Sequence, residues 1–467
     1  MTVWLPNLAG HSGPKHRALT EAIREAIADG SLAAGAKLPP QRELAYALGL
    51  SLGTVGRAYK DAERQEMVSA EVGRGTYVRP HGTRRVAESL SALWGPARDS
   101  DGPVSLVMNL PPAGIAAPAL AQAFRDLGAA GDLSPLLDHT ESGRIEAHQR
   151  SAASWLGRLG LEAKGDEIVL TNGAQHGILM ALMATTRPGD TVLAEKLSYP
   201  PLKQMAHHFG LGLVGLDLDA DGIVPEALEA ACRKSAAKVL YCMPTLQSPT
   251  GATMPERRRR EIAELARSHD LTVIEDDVFG FLPTDRPPPL AAFAPERTLF
   301  VSSVSKSLAP GLRIGIVRAP EAHRETLRNA VQMSCWMPSP ITAEIAHRWI
   351  DDGTAADLND WQRREMRARC RLAQDILGSS AGHREGLRFH LWVDLADEWT
   401  EEAFRAAAEE RGVKVALGEI FMLKAGPAPQ SLRLALGYES TRERLAQGLT
   451  VVADLLANPR VRQAVIV

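Results

Sequence analysis

Ser303-Val304-Ser305-Lys306-Ser307-Leu308-Ala309-Pro310-Gly311-Leu312-Arg313 decides how this chain is read. An apolar run at 298–301 leads into it, a single lysine stands among small hydroxyls, and an arginine follows seven residues later. That is a buried strand ending in a reactive amine beside an anion-binding group. One strand-length excursion earlier, Asp276 follows another apolar run, 271–274, and three more lie upstream at 167–170, 191–194 and 238–242. Helical segments separate these runs, which predicts a mostly parallel sheet covered by helices on both faces. Ligands of such sheets collect outside the carboxyl ends of the strands. From about residue 341, helix-rich sequence surrounds the runs 389–395 and 431–436, predicting a smaller α+β domain.

The chemistry-bearing residues fall just after these strands. Thr171-Asn172-Gly173-Ala174-Gln175-His176-Gly177 opens a helix whose free amides suit a phosphate, and Gly173 lets the backbone approach closely. Simple helix capping reads the same glycine equally well. In Ser198-Tyr199-Pro200-Pro201, Tyr199 is either a ring that stacks on a ligand or an ordinary loop tyrosine. Asp276, at a buried strand end, needs a cation, and a protonated pyridine nitrogen is one. Glu275 and Asp277 raise the alternative of a divalent metal, but successive strand residues point to opposite faces, so the three converge poorly. Arg433, in the apolar stretch Ser431-Leu432-Arg433-Leu434, calls for an anion, either a ligand carboxylate or a structural salt bridge. Lys306 to form an imine, Ser303, Ser305 and Arg313 for a phosphate, and Asp276 for a ring nitrogen together specify pyridoxal phosphate.

The N-terminal 80 residues follow another pattern. Leu19, Ile23, Ala26 and Ile27 recur at helical spacing up to Asp29-Gly30. Pro39-Pro40 opens a second helix, with Leu44, Ala45, Ala47 and Leu48, that Gly49 ends. Ser51 is placed to cap a third, on which Val55, Ala58, Tyr59 and Ala62 share a face. Two β-like runs, 67–72 and 76–78, flank Gly73-Arg74-Gly75. Three helices and a hairpin make a winged helix-turn-helix, whose recognition helix enters the major groove. Ser51 and Thr54 stand on its first turn, Arg57 and Lys60 lie further along, and Arg74 at the hairpin tip suits a minor groove. The competing reading is a small helical dimerisation module. The segment carries ten Lys+Arg against eight Asp+Glu, so double-stranded DNA binding rests on pattern and not on bulk charge.

At 467 residues, 45% apolar and 23% charged, the chain has the composition of a globular protein of two or three domains. Its formal charge of −3 argues against a wholly basic nucleic-acid coat. Cys232, Cys242, Cys335 and Cys370 show no metal-site spacing, so no metal is expected and the thiols read as reduced. Without a signal-like N-terminus or a spanning run, the expectation is a cytoplasmic protein with no membrane contact. The expected domains are 1–80, a linker at 81–108 with a possible helix at 86–93, a large domain at 109–340 and a small one at 341–467. The run Arg257-Arg258-Arg259-Arg260 opens a helix, and most of its arginines are expected on a solvated face.

Residues from about 109 to 456 resemble the class I aminotransferase domain of fold-type I pyridoxal-phosphate proteins. The first 80 resemble the GntR winged helix through Leu38-Pro39-Pro40-Gln41-Arg42-Glu43-Leu44-Ala45, Ser51-x-x-Thr54-Val55 and Gly73-Arg74-Gly75-Thr76-Tyr77-Val78. Fusion in this order is that of the MocR-type regulators. The resemblance implies cofactor-binding roles for Lys306, Asp276, Tyr199, Gly173, Ala174, Gln175, Ser303, Ser305 and Arg313, an effector-carboxylate role for Arg433, and a nucleic-acid contact for Arg42. It also implies a head-to-tail homodimer. This chain has Ser248-Pro249-Thr250-Gly251 where aminotransferases carry Asn-Pro-x-Gly, and Phe279 where they carry a tyrosine. Ser248 is thus a shortened cofactor contact, and fast turnover is not expected, although slow half-reactions are compatible. His139 stands where relatives reach the partner subunit's phosphate, and Leu52 where the family has an arginine. The expected function is a DNA-binding regulator that senses pyridoxal phosphate, an amine or an amino acid. The alternatives are an aminotransferase with an accessory helical domain and a cofactor-independent DNA-binding dimer.

Overall fold

The computed structural model describes residues 4–6, 8, 14–28, 31–32, 35–64, 67–71, 75–78, 102–112, 114–138, 142–381, 386–424 and 429–458. It divides into two compact units, Met1–Ala92 and Leu93–Val467.

In the first unit, helices Lys15–Ala28, Gln41–Leu48 and Leu52–Arg64 precede the antiparallel strands Val68–Glu71 and Gly75–Val78. Leu19, Ile23, Leu44, Val55, Ala58 and Tyr59 fill its core, the helical faces anticipated from spacing. Gly49 takes a left-handed conformation (φ 63°) at the end of the second helix, a turn that costs glycine nothing. The buried Tyr59 hydroxyl donates to the Pro39 carbonyl at 2.7 Å, tying the third helix to the start of the second. This is the expected winged helix-turn-helix. Arg74 lies outside the described residues, as do His139 and the possible helix at 86–93.

The second unit is built on a seven-stranded sheet. Its spatial order is Ile168–Thr171, Gly315–Arg318, Thr298–Ser303, Thr272–Asp276, Val239–Cys242, Thr191–Glu195, Gly212–Leu216. Gly315–Arg318 runs antiparallel to both neighbours and the other pairings are parallel. Periodicity missed two strands: Gly315–Arg318, only four residues long, and the edge strand Gly212–Leu216, where glycines alternate with apolar residues. A 24-residue helix, Thr354–Leu377, leads to a small antiparallel sheet ordered His390–Asp394, Ser431–Ala435, Ala416–Leu417.

Two expectations need correction. The stretch 81–108 is not linker to its end, because Val104–Ser105 pairs in parallel with Val413–Lys414 and the Ala435 amide donates to the Leu106 carbonyl at 2.7 Å. Val104, Leu106 and Val107 are buried, so their apolar surface draws the chain into the core. Nor is the arginine run mostly solvated. Arg258 and Arg259 are both buried, Arg258 against Asp219 at 2.9 Å and Arg259 among the carbonyls of Met254, Pro244 and Pro288.

Candidate functional site

The sheet delivers its polar residues to one cavity of about 200 Å³ at the carboxyl edge. Lys306, Asp276, Tyr199, Ala174, Gln175, Ser248, Ser303, Ser305, Arg313 and Arg433 all line it. Lys306 sits in the short helix Val304–Ser307 that follows the strand Thr298–Ser303, and its Nζ donates to the Asn109 carbonyl. Asp276 ends the neighbouring strand and is buried. Its Oδ2 accepts from the Tyr241 hydroxyl at 2.7 Å, and among the described residues no basic side chain pairs with it. Burial pushes its carboxyl up to about 6, against the pull of the Tyr241 hydrogen bond.

The anion end is equally specific. Gly173 precedes helix Ala174–Thr185 with φ 85°, and a Cβ there would lie 2.5 Å from Arg313 Nη2. Glycine is therefore required for the guanidinium to lie over the helix start. Arg313 donates to the Asn172 carbonyl at 3.2 Å and reaches Ser305 Oγ at 3.5 Å. The Tyr199 hydroxyl donates to Gln175 Oε1 at 3.3 Å, and burial pushes that phenol up.

Arg433 closes the cavity from the small sheet. It is 6% exposed, donates to the Val107 carbonyl and lies 4.8 Å from the Phe421 ring. Among the described residues it has no acid partner, and its Nε has no acceptor, so the salt-bridge reading finds no support. Burial pulls its guanidinium down to about 10. Glu275 faces away from the cavity and accepts from the Leu290 and Ala291 amides, and Asp277 pairs with Arg286 at 2.6 Å. The three neighbouring acids do not converge, and among the described residues no cluster could hold a metal ion.

On the N-terminal unit, Ser51 Oγ accepts from the Thr54 amide at 3.1 Å, which caps the third helix as expected. Ser51, Arg42 and Arg57 are exposed and Thr54 half-buried. Neither arginine pairs with an acid among the described residues, which leaves both available to phosphate or base edges.

The family description "Bacterial regulatory proteins, gntR family" matches residues 15–78, and "Aminotransferase class I and II" matches 109–449. An uncharacterised HTH-type transcriptional regulator of Bacillus subtilis, YdeF, is 30% identical over 458 residues, 97% of this chain and 96% of the relative. The HTH-type pyridoxine biosynthesis transcriptional regulator PdxR of Corynebacterium glutamicum is 28% identical, with 77% and 78% covered. The chain belongs to the MocR-type GntR regulators. An archaeal alanine:glyoxylate aminotransferase superposes with a TM-score of 0.73 at 21% identity, over 81% of this chain and 96% of that one, and shows the shared fold. This MocR-type protein is thus a DNA-binding transcriptional regulator with an aminotransferase-like domain of a pyridoxal-phosphate family. Among the described residues no helix is long and apolar enough to cross a membrane.

The regulator's cavity also contains groups the sequence did not disclose. Tyr241 lay hidden in the apolar strand Val239–Cys242, and only the parallel register beside Thr272–Asp276 brings its hydroxyl to Asp276. Asn109, at the end of the expected linker, accepts from Lys306 through its carbonyl and contacts His390 Nδ1 through its amide at 2.9 Å. His390 Nε2 donates to the Gln247 carbonyl at 3.1 Å. Burial, with Arg433 nearby, pulls His390 down to about 3, so the ring is a neutral spacer between the two sheets. Phe279 packs against Phe389 with ring centroids 5.6 Å apart and donates nothing.

Proposed function

We propose that the large unit is a sensor whose cavity reads pyridoxal phosphate together with an amine or amino-acid effector, and that its occupancy sets operator affinity. One observation carries this reading. Arg433, a buried cation without an acid partner among the described residues, lines the same cavity as Lys306 and Asp276. Structural arginines at such burial are paired, so this guanidinium fits a ligand carboxylate. Pyridoxal phosphate supplies, when bound, an aldehyde carbon open to amine exchange and an electron-withdrawing ring. Lys306 would hold that carbon and Asp276 would face the ring nitrogen. The amides of Ala174 and Gln175, with Ser303, Ser305 and Arg313, would take the phosphate, and Tyr199 would lie against the ring.

Exchange of an effector amine for Lys306 frees the lysine and brings a carboxylate to Arg433, giving the two occupied states different contacts. Ser248 and Phe279 leave the site short of the asparagine and tyrosine of working aminotransferases, which favours sensing over turnover. A head-to-tail homodimer in the cytoplasm, each DNA-binding unit touching its partner's large unit, completes the proposal. Its boundaries are a DNA-binding domain at 1–80 and a large and a small domain meeting near 340.

The test is to titrate amines and amino acids into the loaded protein while following both its visible absorbance and its binding to DNA upstream of its gene. Effectors that shift the spectrum should shift operator affinity, and Lys306→Ala should abolish the visible band of the lysine-bound cofactor. Spectral change without any change in DNA binding would defeat the sensor reading.

A further inference from the structure

A second cavity, about 510 Å³ in volume, lies where three elements of the large unit meet. Helix Ser142–Arg158 brings Trp155 and Arg158, the loop after the Asp276 strand brings Gly280 and Arg286, and helix Thr354–Leu377 brings Asn359 and Arg363. Three polar atoms on its walls are buried without a hydrogen-bond partner: Trp155 Nε1, Arg286 Nη2 and Asn359 Oδ1. Their residues are deeply enclosed, Trp155 at 1% and Asn359 at 6% exposure, with the Arg286 side chain at 8%. An orphaned buried donor or acceptor costs about 1–3 kcal/mol, so three around one cavity point to a ligand that satisfies them.

The unused valences define its chemistry. Arg286 already gives Nη1 to Asp277 at 2.6 Å, and Arg363 already spends its fork on the Phe281 carbonyl and Asp360. What remains is one charged donor, one neutral indole donor and one amide acceptor. Arg158 adds positive charge at the rim, exposed and without an acid partner among the described residues. The surroundings are built to keep Arg286 in place, since a Cβ on Gly280 would lie 1.7 Å from Arg286 Nη1 and 2.0 Å from Asp277 Oδ2. The volume lies within the range of small-molecule sites.

We propose that this cavity is a second ligand site, separate from the cofactor cavity, for a small hydroxy- or amino-carboxylate. The carboxylate accepts from Arg286 and Trp155, and the hydroxyl or amino group donates to Asn359 Oδ1. The same loop borders both sites, with Val278 and Phe279 lining the cofactor cavity and Gly280 and Arg286 lining this one.

The probe is L-lactate, titrated calorimetrically into full-length protein saturated with pyridoxal phosphate. It carries carboxylate and hydroxyl but no amine to react with an aldehyde. Saturable binding is expected, retained in Arg433→Met and weakened roughly tenfold or more in Trp155→Phe and Asn359→Leu. Amide exchange over residues 280–288 of the unmutated protein should slow with lactate, a readout independent of how well the variants fold. No saturable binding of L-lactate, L-malate or L-serine would overturn the proposal, the orphaned groups then being met by water alone. Lactate binding abolished in Arg433→Met but kept in the other two variants would also overturn it, by placing the ligand in the cofactor cavity. None of these outcomes depends on whether the cofactor cavity acts as a sensor.

Discussion

Two arginines of the large unit are shut away from water and held in opposite ways. Arg259, fully buried beneath its own helix, donates to the carbonyls of Met254, Pro288 and Pro244 and to Thr245 Oγ1, with Glu275 3.9 Å away. Arg433 donates to one carbonyl, stacks on Phe421, keeps an orphaned Nε and meets no acid among the described residues. Similar desolvation has been compensated inside the protein in the first region and left open in the second. Open compensation marks a ligand position, whereas closed compensation marks a structural joint. Charge type and burial alone would rank the two residues together.

If that contrast holds, the same substitution must act on different properties at the two positions. Arg259→Met strips donors from three carbonyls and leaves Glu275 without its cation, so it should cost about 3–5 kcal/mol of stability, read as a lowered denaturation midpoint. Arg433→Met should move that midpoint by no more than about 1 kcal/mol, since it replaces an uncompensated charge with an apolar side chain of similar volume. Its effect belongs to ligands: effector amino acids should bind roughly 100-fold more weakly, while amines lacking a carboxylate are unaffected. A large stability loss in Arg433→Met with unchanged amino-acid binding would erase the distinction.

How far this contrast was legible beforehand follows from the range of each interaction. Lys306, Asp276 and Arg313 could be found because each closes a strand or follows one closely, and strand ends show in a one-dimensional pattern. The three-helix hairpin unit showed for the same reason, through faces such as Val55, Ala58, Tyr59 and Ala62. Tyr241 and His390 did not show, because their meaning lies in register across strands and between the two sheets. The arginine run misled for a related reason. Helical spacing told which residues share a side but not that a loop at Asp219 and the carbonyl of Pro288 would come to meet Arg258 and Arg259.

Asp276 extends the comparison to an acid. Burial raises it from an ordinary 3.8 to about 6, so in the cofactor-free fold it holds a proton that the unfolded chain has already released. Stability must therefore fall as pH rises from about 4 through about 6, by an amount on the order of 2 kcal/mol. A cation against the carboxylate reverses this. Thermal stabilisation by pyridoxal phosphate should thus be greater above about pH 6 than below it, and the carboxylate's share of that difference should vanish in Asp276→Asn. An identical pH dependence in the variant would separate Asp276 from the ring nitrogen.

The DNA-binding unit supplies the mildest and most local contrast, since its cations are open to solvent and their compensation is left to phosphate. Arg42→Ala and Arg57→Ala should leave folding intact and flatten the dependence of log affinity on log salt by about one unit for each phosphate no longer neutralised. Ser51→Ala is different in kind. It removes the acceptor for the Thr54 amide, a helix cap worth about 1 kcal/mol, and so lowers the stability of the small unit while leaving the salt slope unchanged. If all three variants changed the slope alike, capping and phosphate binding could not be told apart on this face. If the arginine variants changed it not at all, the helical unit would serve assembly and not the double helix.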